Sequence, residues 1–320
     1  MHPAFSVIFF TTASGAGYGL LALAGILAPL GLMPTDQRIG TIVLGIAIGL
    51  ITAGLLSSTL HLGHPERAWR AFSQWRSSWL SREGVFAVVA YGPIAVFAFG
   101  WIFQARLDGA IAWAGLACTV LAIVTVYCTA MIYRSLKPVH QWCNALVVPN
   151  YLALALMTGA LWLAALLSLA GSKNALAAVI ALAATALAAW LKTRYWAFID
   201  ATQAASTPES ATGLGGGGLG AGGKVRLFEA PSTGASYLMN EMGYRIARKH
   251  AARLRRIALV AGFALPLVLT LLGLLVPGAA GAASALAAAL LAMAGVLVER
   301  WLFFAEAKHT VTLYYGATSA

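Results

Sequence analysis

Long apolar runs broken by short polar segments dominate this chain. A helix that crosses a bilayer needs about 20 mainly apolar residues. Runs of that kind occur eight times, at 5–32, 39–60, 84–104, 110–133, 146–170, 174–191, 257–276 and 282–304. They predict an all-α integral membrane protein, an eight-helix transmembrane bundle that makes 1–320 one membrane domain. The first run is too long for a signal-peptide core and has no basic segment before it, so it reads as a retained span. Gly15 with Gly19, and Gly45 with Gly49, have the small-residue spacing that lets helices approach closely. One stretch departs from the compact pattern. Residues 192–256 read as a long loop, and its centre, TGLGGGGLGAGG at 212–223, as a flexible linker.

Composition supports the membrane reading. Hydrophobic residues make up 60% of the chain and charged residues 10%, against roughly 25% charged in soluble domains. Mean hydropathy is +0.81. The net charge of +11 would suggest nucleic-acid binding in a soluble protein; in a membrane protein, its distribution matters first. Eight spans put both termini on one side, with loops 61–83, 134–145 and 192–256. That side carries 18 of the 21 Lys and Arg residues, counting Arg300 and Lys308; the other carries Arg38, Arg106 and Lys173. Long loops weigh little in the positive-inside rule, yet without 192–256 the count is still eight against three. The termini are therefore expected in the cytoplasm, with no nucleic-acid partner. The basic run Arg245, Arg248, Lys249, Arg253, Arg255 and Arg256 suits anionic lipid head groups.

Several motifs lack the context that would give them chemistry. Two G-x-G-x-x-G matches, at 213–218 and 218–223, follow no strand, and Val225 replaces the Ser or Thr of a phosphate loop. Cys118, Cys128 and Cys143 form no C-x-x-C set and read as packing residues. All six histidines (His2, His61, His64, His140, His250, His309) fall on the predicted cytoplasmic side. Two haems carrying electrons across the membrane need ligands at two depths; the histidines leave room only for one, at the basic face. No Asp or Glu falls near the centre of a predicted span, which argues against a proton pump.

The densest chemistry lies between spans two and three. His61-Leu-Gly-His64-Pro-Glu66-Arg67-Ala-Trp69-Arg70 is followed by Trp79-Leu-Ser81-Arg82-Glu83-Gly84. An imidazole, an acid and Arg67 at one depth can hydrogen-bond a quinone carbonyl, exchange protons with it and stabilise negative charge. The same residues also admit a structural reading. Glu83 can favour the helix dipole after a Ser81 cap, His61 can cap span two, and Trp69, Trp75 and Trp79 can form an interfacial belt.

The opening Met-His-Pro-Ala-Phe-Ser, the His61-Leu-Gly-His-Pro-x-Arg-Ala segment and Leu80-Ser-Arg-Glu83 resemble the membrane anchor subunit family of dimethyl sulfoxide reductase. So do Tyr133-Arg-Ser-Leu-Lys-Pro and Arg245-Ile-Ala-Arg-Lys-His. The resemblance implies a quinone-reactive subunit of the bacterial inner membrane, without haem or metal of its own. Its partners would be an iron–sulfur electron-transfer subunit and a molybdopterin catalytic subunit, and its quinone ubiquinone or menaquinone. By the same resemblance His61, Arg67 and Glu83 are the quinone-binding residues. The familiar anchor has periplasmic termini, whereas the charge count here is cytoplasmic. That orientation is closer to the anchor of a cytoplasm-facing sulfite dehydrogenase, in which electrons flow to quinone rather than from menaquinol. Arg67, Arg70, Arg76 and Arg82 would then face carboxylates of the iron–sulfur partner. A secondary transporter is the alternative of another class, but no repeat relates spans one to four and five to eight, and midplane polar residues are sparse. Reporter fusions at Ala320 and beside Arg106 should report cytoplasm and periplasm respectively; a periplasmic C-terminus would reverse the orientation.

Overall fold

The computed structural model describes residues 4–60, 62, 64–172, 174–214, 224–229, 231 and 249–319. Among the described residues, eight helices are long and apolar enough to cross a membrane. They are α1 (Phe5–Leu27), α2 (Gln37–Thr59), α3 (Trp79–Phe103), α4 (Gly109–Arg134), α5 (Val147–Leu169), α6 (Ala175–Ala201), α7 (Ala251–Leu275) and α8 (Gly278–Ala305). Side-chain caps set several starts. Asp36 accepts the Ile39 N–H at 3.0 Å to open α2, and Asn174 accepts that of Ala177 at 3.0 Å to open α6. A π turn, Val260–Ala264, interrupts α7 just before Pro266. Such local adjustments re-satisfy the backbone groups that a proline leaves free in a membrane helix.

α1 is the hub of the bundle. It packs against α2, α4, α5 and α8, and α5 packs against α1, α4, α6 and α8. Lipid gives helices no hydrophobic reason to associate, so close van der Waals contact must hold them. The α1–α5 contact is backbone against backbone. A Cβ on Gly19 would run into the Ala155 carbonyl, and one on Gly159 into Gly19 and the Leu20 amide. The expectation for Gly45 and Gly49 fails, because neither has a neighbour within 4 Å of the position a Cβ would take. On α2 it is Gly54, against Ser14, that touches α1.

Three other expectations change. The loop expected at 192–256 is shorter, because α6 continues to Ala201 and α7 begins at Ala251. Lys192 ends no span; it is buried inside α6. The third helix starts at Trp79 rather than 84, because Ser78 and not Ser81 is its N-cap. Cys118 and Cys128 are buried, but Cys143 is exposed and packs no core. His61, the glycines of 215–223, Arg245 and Arg248 lie outside the described residues.

The α1–α5 contact predicts a sharp asymmetry between two conservative substitutions. Gly159→Ala should destabilise the detergent-solubilised subunit by about 1–3 kcal/mol, the usual cost of overpacking. Gly45→Ala, in open space, should stay within about 0.5 kcal/mol of wild type. Equal thermal unfolding of the two variants would show that Gly159 does not set the α1–α5 spacing.

Candidate functional site

The segment between α2 and α3 folds back onto the start of α3. A 3-10 helix, Pro65–Gln74, carries most of it. The Ser81 hydroxyl donates to the Ala71 carbonyl, and Phe72 lies against Gly84 where a Cβ would stand. Arg82 donates from Nε to the Trp75 carbonyl at 2.9 Å and from Nη2 to the Arg76 carbonyl at 2.6 Å. Its guanidinium also sits 4.2 Å from the Trp79 ring centre. Arg82 therefore braces this loop, which removes it from the surface charges expected to meet a partner.

With Arg82 turned outward, the next residue points in. Glu83 is 5% exposed, and the Thr129 hydroxyl on α4 donates to its Oε1. Thr129 Oγ1 also lies 3.1 Å from the Thr125 carbonyl, so the two acceptors share its single hydrogen. The helix-dipole account of Glu83 does not survive this geometry. Because Ser78 is the cap, the first turn holds no acid, and Glu83 lies a turn deeper. Tyr18 of α1, itself 2% exposed, lies in the field of Glu83.

Arg67 lies elsewhere. It is surface-exposed on the 3-10 helix, with Nε 3.7 Å from Glu66 Oε1, while His64 Nδ1 is 3.0 Å from the same oxygen. Among the described residues, the hydrogen-bond partner of the Glu83 carboxylate is Thr129 and not Arg67. His61 is outside the described residues. Of the two expected residues that are described, Glu83 enters the bundle interior and Arg67 does not.

A second buried charge cluster is one that the pattern of spans does not announce. Lys192 of α6 pairs with Glu299 of α8, and Arg300 Nε lies 2.8 Å from Glu299 Oε2. All three are at most 2% exposed. They are not interfacial cations: aromatic rings enclose them. Lys192 Nζ is 4.0 Å from the Tyr195 ring centre, and the Arg300 guanidinium is 3.9 Å from that of Tyr151. Removing one partner of such a buried pair costs about 3–5 kcal/mol. A signal exists in Val-Glu299-Arg300-Trp and Leu-Lys192-Thr, where opposite charges interrupt two apolar runs.

A small cavity with mixed polar and apolar walls lies between the two clusters. Its volume open to water centres is about 20 Å³, and its walls include Thr12, Ser14, Thr129, Tyr151 and Arg300. That is room for one or two water molecules. Among the described residues, the Thr12 hydroxyl, the Tyr151 hydroxyl and Arg300 Nη1 are buried without a hydrogen-bond partner, so each can bind such a molecule. Tyr133 and Tyr151 stack at 5.8 Å, with the Arg300 guanidinium over the Tyr151 ring. Among the described residues, no three His, Cys, Asp or Glu side chains converge as a metal-ligand set.

At the aqueous end, Arg255 bridges Asp200 at 2.7 Å and Glu306 at 2.8 Å. Burial holds the Glu306 carboxyl above the usual carboxylate range, against the pull of Arg255. Asp200, Arg255 and Glu306 line an open cavity of about 500 Å³.

Comparison with known proteins agrees with this architecture. The C subunit of sulfite dehydrogenase from Allochromatium vinosum is 32% identical over an alignment of 348 positions that covers 100% of both proteins. The C polypeptide of anaerobic dimethyl sulfoxide reductase from Escherichia coli K12 is 31% identical over 160 positions, 48% of this protein and 53% of that one. No solved structure matches. The family described as DMSO reductase anchor subunit (DmsC) matches residues 1–316, and the protein belongs to that family.

Proposed function

We propose that this protein is the quinone-reactive membrane anchor of a molybdopterin oxidoreductase of the sulfite dehydrogenase type. The observation that carries this reading is the end-to-end similarity to the C subunit of a sulfite dehydrogenase. In this reading, an iron–sulfur subunit delivers electrons from a catalytic molybdopterin subunit, and membrane quinone receives them. The termini and the partners are cytoplasmic, and the membrane is the bacterial inner membrane. Arg67, Arg70 and Arg76, exposed around the 3-10 helix, offer the partner a basic docking surface.

Quinone takes up two electrons and two protons on becoming quinol, so its site must supply protons as well as hold the ring. Glu83 suits that demand. A carboxyl fixed by a hydroxyl donor inside an apolar bundle can hold a proton or release it without moving. His61, just past the end of α2, would hydrogen-bond one carbonyl. Arg67 would act from the rim, where a mobile guanidinium can approach developing negative charge. Its exposure and its weak pairing with Glu66 leave it free for that motion.

The test is the assembled complex, assayed two ways. Glu83→Gln keeps the shape and the Thr129 contact but removes the titrating proton. Quinone-linked turnover should fall roughly ten-fold or more, while turnover with a soluble electron mediator stays at the wild-type rate. His61→Ala should in addition weaken binding of a quinone analogue. Wild-type quinone kinetics in both assembled variants would remove quinone chemistry from this junction.

A further inference from the structure

If Glu83 handles protons, its burial raises a question of supply. At 5% exposure it has little contact with bulk water among the described residues. On the side of the α2–α3 loop, Ser81, Phe72 and Arg82 pack the loop against the start of α3. The other direction is polar. Thr129, which holds Glu83, lines the small cavity, and Tyr151 and Arg300 line the same cavity. Arg300 touches Glu299, Glu299 touches Lys192, and Lys192 Nζ lies 5.1 Å from the ring centre of Trp196, whose ring also carries the Arg255 guanidinium at 5.5 Å. Glu306 reaches the open cavity that Asp200 and Arg255 share.

These groups also lie toward one end of the bundle. At about 1.5 Å of rise per residue, Glu83 lies about 6 Å inside the start of α3 and Thr129 about 8 Å inside the end of α4. Glu299 lies about 9 Å inside the end of α8. Tyr151 lies about 6 Å inside the start of α5 by the same measure. Lys192 lies about 14 Å inside the end of the longer α6 and meets Glu299 there, so the groups gather toward one end of the bundle rather than crossing it.

We propose that Glu299, Lys192 and Tyr151, with the small cavity beside them, form an internal proton route from the aqueous face at Glu306 and Asp200 to Glu83. This rests on the assignment of Glu83 to quinone chemistry. Only O–H and N–H bonds change along the route. A proton enters at Glu306, an equivalent one passes through the Lys192–Glu299 pair, and another reaches Glu83 through the cavity and leaves for a quinone oxygen. The two electrons come separately, from the iron–sulfur partner. Arg300 stays protonated throughout and acts as a fixed charge that holds Glu299 in place. The groups facing Glu299 are Lys192 and Tyr195 of α6, Tyr151 of α5 and Arg300 beside it.

The experiment uses the whole complex in lipid nanodiscs, with quinone reduction and mediator reduction measured across pH. Glu299→Gln should slow quinone reduction roughly ten-fold. The residual rate should fall more steeply than wild type as pH rises, because proton delivery has become limiting. Tyr151→Phe, which keeps the ring under Arg300, should move both readouts in the same direction and guards against a folding defect in the first variant. Quinone-analogue binding and mediator turnover should stay unchanged, and a small weak acid such as acetic acid should restore part of the lost rate. Wild-type rates and pH profiles in both variants would overturn the route. A loss that no weak acid restores would also overturn it, by making the cluster structural. Glu83→Gln separates the two ideas. If it is slow while Glu299→Gln and Tyr151→Phe are normal, only the route fails; if it too is normal, the quinone assignment fails first.

Discussion

Contact between helix backbones is the constraint on which this bundle depends. Apolar side chains are as comfortable in lipid as in a core, so burial alone does not assemble membrane helices. What remains is dispersion between closely packed atoms, and its strength falls quickly with separation. Gly19 on α1 meets Ala155 and Gly159 on α5, and Gly25 on α1 meets Gly115 on α4. These contacts pin α1 against two neighbours at the shortest spacing helices allow. α8 then closes over α1 and α5. The buried polar groups of both clusters project into the space these four helices and α3 and α6 enclose.

That enclosure makes the buried charges interdependent. Lys192, Glu299 and Arg300 together carry one net positive charge when all are ionised. An ion inside a low-dielectric bundle is costly unless compensated, and compensation needs good geometry and further hydrogen bonds. Glu83, on the far side of the small cavity, is the other buried acid at this end of the bundle. With it ionised, two positive and two negative groups balance. The position of Thr129 matters to that balance, because its hydroxyl both donates to Glu83 and lines the cavity that faces Arg300. The α3–α4 contact thus sets the separation of the two clusters as well as the shape of the bundle.

Much of this is legible in the residue pattern, and what escapes has a physical cause. Eight spans are readable because hydropathy over about 20 residues reports lipid burial directly. Their ends are less readable. The 174–191 run stops short of Lys192 because a lone lysine looks interfacial, yet its partner Glu299 stands 107 positions later, and pairing across helices leaves no local trace. Ser81 reads as a cap because serine before an acid is a sound local signal; Ser78, three residues earlier, wins because Ser81 is committed to the Ala71 carbonyl. Gly45 and Gly49 show that spacing proposes a contact face without saying whether a helix arrives there. At the site, Glu83 can be singled out from the sequence. Its partner Thr129 cannot, since a threonine in an apolar span mostly bonds its own helix.

The disposition of charge also bears on what kind of redox work the subunit can do. Protons taken up for quinone chemistry from the same side as the electrons move no charge across the membrane; protons taken from the other side do. A route of the second kind needs titratable groups through the bilayer midplane. Here the buried ionisable residues gather toward the face that holds the termini. The charged groups described at the opposite face, Asp36, Arg38, Arg106 and Asp108, sit at helix ends. Asp36 caps α2, and Arg106 Nε is 3.0 Å from Asp108. Between the two sets, α1 and α5 meet backbone to backbone at Gly19 and Gly159, and the cavity of about 290 Å³ beside that contact is lined mainly by apolar side chains. The contact that holds the bundle together thus offers no titratable step between the two faces. A bundle with its buried acids toward one side is suited to scalar proton chemistry, in which electron and proton arrive from the same compartment.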